Sequence, residues 1–479
     1  MGIRIAWVLA MVGLCTKAQT GYQLDFKIKG LKDTTIYLGY YYGEQTYIKD
    51  TTRVNSDGSF RFDGNQSLPH GVYFIVLNKT RLFEMAMSAD QQFSLATTTD
   101  DYVKNMKVTG DEDNRLFFEN MVFNMTRNKE AEPYVAILRD STKSEIEKKA
   151  ARESFDAIGS KVMAYQKDLI AKHPQTVTAK LLNANRPVEV PDPPKKADGT
   201  IDSTFQYHYY KAHYFDHFDL ADDALIRLPK PIYQQKLVEY LEKMIVQTPD
   251  SLVKAIDELA ARVKKNQETY KYLVWNCIVN YQSPKIMGLD EVYVRLYDKY
   301  IESGEMDFWL NSSIKKNMKD YADKLRLSLI GKTGPNLIMQ DLSLQPKSMY
   351  DIKKKYTILY IFDPDCGHCR EETPKLVSFY NKNKSRFDLE VYAVSADTSL
   401  SKMKKYITEM KMTWITVNGP RSYVGSYQNL YDAFTTPSLF ILNDQKKIIA
   451  KKLPVGQLED FLVNYERVQE RRAKTAKGT

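Results

Sequence analysis

Two cysteines separated by two residues, Cys366-Gly367-His368-Cys369, stand where a buried strand gives way to a helix. This placement constrains the fold more than any other feature of the chain. Tyr356 to Phe362 is a continuous apolar run of strand character, and Arg370 to Tyr380 has helical spacing. A Cys-x-x-Cys pair between a strand and a helix is the arrangement of a redox dithiol. The first sulfur would face the unpaired N–H groups and the positive dipole end of the helix, which favour a thiolate.

The start of the chain bears on where such chemistry takes place. Residues 1–18 read as a secretory signal, with Arg4 in a positive n-region, Ala6 to Leu14 as a short apolar stretch, and Thr16-Lys17-Ala18 before a mature Gln19. Lipidation of Cys15 is the rival reading, and Leu14 fits that site poorly. Localisation in the periplasm or cell envelope is expected. No later segment is long and apolar enough to span a bilayer. Of the four cysteines, Cys15 would leave with the signal. Cys277, Cys366 and Cys369 cannot form a disulfide framework for so long a chain, so the close pair reads as redox-active. Cys277 lies in the apolar helical stretch Tyr272 to Cys277 and reads as a buried small hydrophobe.

A chain of 479 residues requires several cores. Residues 19–112 read as an all-β sandwich. There Leu24, Phe26 and Ile28 alternate with polar residues, and Asp57-Gly58 marks a hairpin turn before Phe60 and Phe62. Residues 113–328 read as a helical domain, interrupted by the proline-rich loop Pro187 to Gly199. Residues 329–468 alternate strands with helices, including an expected helix at Ser422 to Tyr431 and a closing helix at Gly456 to Val468. A basic tail follows at 469–479. The net charge of +9 is spread along the chain, and no nucleic-acid motif is present. His208, His213 and His217 gather half of the six histidines, but the surrounding Tyr207, Tyr209, Tyr210, Tyr214, Phe215 and Phe218 favour aromatic packing over a metal. No metal or other cofactor is expected.

The C-terminal pattern resembles the thioredoxin fold, and within it the TlpA-like thiol–disulfide oxidoreductases. The resemblance rests on Cys366–Cys369 after the first core strand, Pro374 at the helix-kinking position, Thr436-Pro437 before a strand, and the leading segment Gly331 to Asn336. Residues 22–125 resemble the β domain that precedes many Bacteroidetes-type thioredoxin-like proteins, and the region around Tyr209 to Pro229 resembles their helical middle domain. The resemblance implies a C-terminal α/β thioredoxin-like domain in which Cys366 attacks a protein disulfide, Cys369 resolves the intermediate, Pro437 forms a cis bond opposite the sulfurs, and His368 tunes the couple. It also implies protein thiol substrates and a membrane-bound electron donor. Where thioredoxin has a buried aspartate, this chain has Tyr360, leaving Glu371, Glu372 and Asp397 as candidate proton carriers. Asp363 and Asp365 would disfavour a second negative charge near the sulfurs. A peroxidatic Thr-x-x-Cys motif is absent, since position 363 is Asp. The non-enzymatic alternative is a partner- or glycan-binding envelope protein in which this domain is a scaffold.

Overall fold

The computed structural model describes residues 21–195 and 199–477; the signal reading and Cys15 lie outside them. Two compact units are present. One holds residues through 240 together with 262–270, and the other holds 241–261 and 271 onward.

The first unit begins with eight strands: β1 (Tyr22–Lys29), β2 (Thr35–Tyr42), β3 (Gln45–Arg53), β4 (Ser59–Gly64), β5 (Gly71–Leu77), β6 (Thr80–Met87), β7 (Gln92–Thr98) and β8 (Lys107–Thr109). They form two four-stranded sheets, ordered β4-β1-β7-β8 and β3-β2-β5-β6. Alternation in β1 buries Leu24, Phe26 and Ile28, and the Phe26 ring lies 4.9 Å from Phe60 and 6.5 Å from Phe83 of the other sheet. The expected hairpin at Asp57-Gly58 is instead a sheet-switching turn. β3 pairs with β2, whereas β4 pairs with β1. The turn itself forms as its residues dictate: Asp57 accepts from Ser59, and Gly58 has φ +85°, where a Cβ would come 2.3 Å from the Ile28 carbonyl. Local turn chemistry does not report which sheet each flank joins.

Helices follow at α1 (Glu112–Arg139), α2 (Glu145–Lys172), α3 (Val177–Ala184), α4 (Phe205–His213), α5 (Ile232–Glu239), α6 (Pro249–Val263), α7 (Gln267–Asn280), α8 (Asp290–Leu296) and α9 (Ser312–Leu327). α2 stops before Pro174, as the proline requires.

In the second unit a seven-stranded mixed sheet has the order β10-β9-β13-β12-β11-β14-β15. Its strands are β9 (Ile338–Gln340), β10 (Pro346–Ser348), β11 (Tyr356–Phe362), β12 (Leu389–Ser395), β13 (Ile415–Ser422), β14 (Ser438–Asn443) and β15 (Ile448–Lys451). The associated helices are α10 (Gly367–Asn383), α11 (Leu400–Met410), α12 (Tyr427–Tyr431) and α13 (Leu458–Lys477). β11 runs parallel to β12 and antiparallel to β14. Every residue of β11 is buried because both faces are covered. Ile358, Tyr360 and Phe362 pack with Leu376 of α10, Tyr406 of α11 and Leu458 of α13. Leu359 and Ile361 pack on the other face with Tyr427 and Tyr431 of α12.

Two helix expectations are corrected. Strand β13 continues through a bulge to Ser422, where it pairs with Met339, and Gly425 at φ +99° precedes a helix reduced to Tyr427–Tyr431. The closing helix runs past Val468 to Lys477, because Glu470, Arg471, Arg472 and Lys474 are good helix formers and no glycine intervenes before Gly478.

Candidate active site

Strand β11 ends at Phe362, and a tight turn follows in which the Asp365 N–H donates to the Asp363 carboxylate at 2.9 Å and the Cys366 N–H donates to the Asp363 carbonyl at 3.1 Å. Cys366 is the N-cap of α10, extended at φ −81° and ψ 122°, with no side-chain capping bond. Its sulfur is therefore presented to the first turn, whose N–H groups have no helical partner. Burial opposes ionisation of Cys366, but hydrogen bonds from the Cys369 thiol, the Cys369 N–H, Thr436 and the His368 N–H outweigh it and lower the thiol pKa from 9.0. Cys369 is fully buried, and burial pushes its thiol up to about 12 despite the Asp363 N–H donated to its sulfur at 3.4 Å. One sulfur is thus primed as a nucleophile and the other held as a thiol.

Across from the dithiol, the Thr436–Pro437 bond is cis, and the Cys366 thiol donates to the Thr436 carbonyl at 3.4 Å. Cys366, Cys369 and the Thr436–Pro437 segment are therefore together. The His368 imidazole is not part of this group. Its side chain is 85% exposed and lies 4.0 Å from Glu371, so the residue reaches Cys366 through its backbone N–H. Pro374 lies within α10 and leaves the Arg370 carbonyl without its helical donor.

The candidate carboxylates sort by environment. Glu371 is exposed, and Glu372 pairs with Lys375 at 2.6 Å. Asp397 accepts from the Ser399 N–H at 2.6 Å and pairs with Lys402 at 3.1 Å; these contacts keep its carboxyl below the ordinary range against the effect of burial. Lys402 also pairs with Asp365 at 2.5 Å, so the Asp363, Asp365 and Asp397 cluster already holds a cation beside the dithiol. Beneath the sulfurs, Thr373 Oγ1 donates to the Cys369 carbonyl at 2.8 Å and lies 2.8 Å from the Tyr360 hydroxyl and 2.7 Å from the Tyr406 hydroxyl. Tyr360 replaces a buried acid with part of a closed hydroxyl network. Sequence reading missed Thr373, Tyr406 and Lys402, which no local motif marks.

Elsewhere, Cys277 is buried and its thiol is pushed well up by burial. His213 pairs with Asp216 at 2.6 Å and stacks on Tyr209, and His208 packs edge-on against Tyr207. Aromatic packing and a carboxylate occupy these rings. No helix among the described residues is long and apolar enough to cross a membrane.

Residues 330–451 match the AhpC/TSA family. Residues 22–117 and 164–323 match two domains of unknown function, DUF4369 and DUF5106. The chain is similar to the thiol-disulfide oxidoreductase ResA of Bacillus cereus, with 25% identity over 146 residues, covering 30% of this chain and 81% of that protein. It is 24% identical to ResA of Bacillus anthracis over 146 residues, again 30% of this chain and 81% of that protein. Among solved structures, a domain of a possible thiol-disulfide isomerase from Cytophaga hutchinsonii is 37% identical, with 30% of this chain and 97% of that chain covered and a TM-score of 0.28. A thioredoxin-like protein from Bacteroides caccae is 20% identical, with coverage of 58% and 99% and a TM-score of 0.44.

Proposed function

We propose, from the premise that the C-terminal domain is an AhpC/TSA-family thioredoxin-fold domain with ResA/TlpA-like thiol–disulfide oxidoreductase homologues, that the chain reduces or isomerises protein disulfides outside the cytoplasm through Cys366 and Cys369. The observation that carries this reading is the asymmetry of the two thiols, one lowered at a helix start and one raised by burial.

In the reductive direction, the Cys366 thiolate attacks one sulfur of a substrate disulfide. A mixed disulfide forms and the other substrate sulfur leaves as a thiolate, which takes up a proton. Cys366 has then lost its charge and its hydrogen bond to Cys369, two of the influences that raise the Cys369 thiol. Cys369 gives up its proton and attacks Cys366. The Cys366–Cys369 disulfide forms and the second substrate sulfur leaves. Two electrons have passed to the substrate, and an external dithiol, supplied by a membrane-bound donor, restores the pair. If substrate dissociates after exchanging its own thiols instead, the same steps isomerise its disulfides.

Export rests on the residue 1–18 signal pattern. A mature N-terminus at Gln19 in envelope-fraction protein supports it, and a lipid-modified Cys15 supports anchoring instead.

The decisive experiment is the reduction potential of the pair in a Cys277→Ser background, with thiols trapped by alkylation in graded dithiothreitol buffers. A reversible two-electron couple and loss of disulfide reduction in Cys366→Ser are expected. A pair that forms no reversible disulfide sinks the enzymatic reading in favour of the scaffold one. A couple near about −270 mV marks a reductase, and one near about −180 mV an isomerase.

A further inference from the structure

We infer that α9 of the helical segment extends the substrate surface of the dithiol and selects polypeptides with an apolar residue and an acidic residue close to the reacting cysteine. This rests on the function proposed above. The loop from Phe434 to Pro437 carries the Thr436 carbonyl that touches the Cys366 thiol at 3.4 Å. Phe434 is two residues earlier, a span of at most about 7 Å of backbone. Its ring is 57% exposed at the margin of the site. Above that ring, at 4.9 Å from its centroid, is the Lys324 ammonium of α9. Both residues belong to the second compact unit, and α9 packs against α12 just before this loop.

Two features make the pair a recognition surface and not only a packing contact. First, Lys324 makes no ion pair among the described residues, whereas Arg326 is held by two bonds to Asp298, at 2.8 and 2.7 Å, and Asp432 is taken by Lys452 at 2.7 Å. An unpaired ammonium on an aromatic face leaves room for a carboxylate on its outer side. Second, Leu327, three residues after Lys324 on the same helix face, is 44% exposed. Phe434, the aliphatic stem of Lys324 and Leu327 thus offer apolar contact with one positive charge at its centre. On the α10 side of Cys366, Asp365 is neutralised by Lys402, and exposed Glu371 stands beside His368. Lys324 thus places an unpaired positive charge on the α9 side, whereas the first turn of α10 carries no carboxylate. An extended substrate that puts its cysteine at Cys366 places a residue two or three positions away over Phe434. An acidic side chain there meets Lys324.

The test uses the prereduced mature chain in single turnover. The substrates are two peptides with the same intramolecular disulfide and a leucine beside one cysteine, one carrying Asp-Glu next to it and the other Lys-Arg. Hydroxyethyl disulfide is the small, uncharged third substrate. The wild type is expected to reduce the acidic peptide faster. Lys324→Gln removes the preference, and Lys324→Glu lowers the acidic-to-basic rate ratio about tenfold from the wild-type value, a change of the size expected when a rim attraction becomes a repulsion. Phe434→Ala slows both peptides and keeps their ratio. An unchanged ratio in both Lys324 variants overturns the inference, as does a uniform loss on all three substrates. Failure of the wild type to reduce hydroxyethyl disulfide would instead sink the proposed function itself.

Discussion

At the scale of residues, the dithiol is set by two opposed environments three positions apart. The Cys366 thiol is lowered from 9.0, so more of it is thiolate near neutral pH than in an unfolded chain. The Cys369 thiol is raised to about 12 and stays protonated through that range. Alkylation with limiting iodoacetamide between pH 6 and 8 should therefore label Cys366 alone. Its rate should rise with pH to a midpoint below 9, with Cys369 unlabelled until well above that. Peptide mapping by mass reads the result, and equal labelling of both cysteines would contradict the asymmetry. The network below the sulfurs makes a separate claim. Thr373 Oγ1 is the shared partner of the buried Tyr360 and Tyr406 hydroxyls. Thr373→Val keeps the shape and removes that partner, leaving buried hydroxyls unpaired at about 1–3 kcal/mol each. A loss of about 2–4 kcal/mol in urea unfolding is expected. A change under 0.5 kcal/mol, roughly the ordinary surface value, would show the network to be dispensable.

At the scale of elements, what was legible in the sequence was what adjacent residues settle. The continuous apolar run of β11, the Cys-x-x-Cys at the head of α10, the proline that ends α2 and the Thr436-Pro437 pair before β14 are all local patterns, and each is present where the sequence places it. What was not legible depends on partners distant in the chain. Asp57-Gly58 gives a turn without stating that β3 and β4 enter different sheets. Tyr406 is 33 residues from Thr373, and no spacing rule joins them. The same is true of the contact between β15 and α8. Lys451 Nζ lies 2.6 Å from the Asp290 carboxylate, with side chains 5% and 9% exposed, and 3.3 Å from Ser328 Oγ. Breaking a buried pair by removing one partner costs about 3–5 kcal/mol, whereas replacing both by apolar groups is often neutral. Asp290→Ala should therefore be strongly destabilising, and Asp290→Leu with Lys451→Met should recover most of the loss. A double variant as unstable as the single one would mean that the pair itself, and not the stranded charge, holds the contact.

At the scale of the whole molecule, the helical region divides differently from the change in sequence pattern. Alternating strands and helices begin near residue 329, yet the compact unit that holds the dithiol also takes in residues 241–261 and 271–328. Composition could not show this, because nothing in the pattern of those helices, amphipathic in α9 and hardly so in α7, names the surface they cover. In this unit Lys451 meets Asp290 of α8, its backbone N–H donates to Met287 Sδ at 3.2 Å, and Lys324 of α9 lies over Phe434. The apolar clusters on the two faces of the thioredoxin-like sheet are built from residue 330 onward, and these contacts tie the helices before it to that sheet from outside. A fragment of residues 241–479 retains these partners, and a fragment of residues 329–479 removes them and exposes the apolar surface they cover. Both should contain the redox pair, but the shorter one should unfold at a lower urea midpoint, because a stranded Lys451 and newly exposed apolar area both weaken it. Circular dichroism in urea on the two fragments decides the matter. Equal midpoints would mean that the helices are an appendage and that residues 329–479 alone are the folding unit.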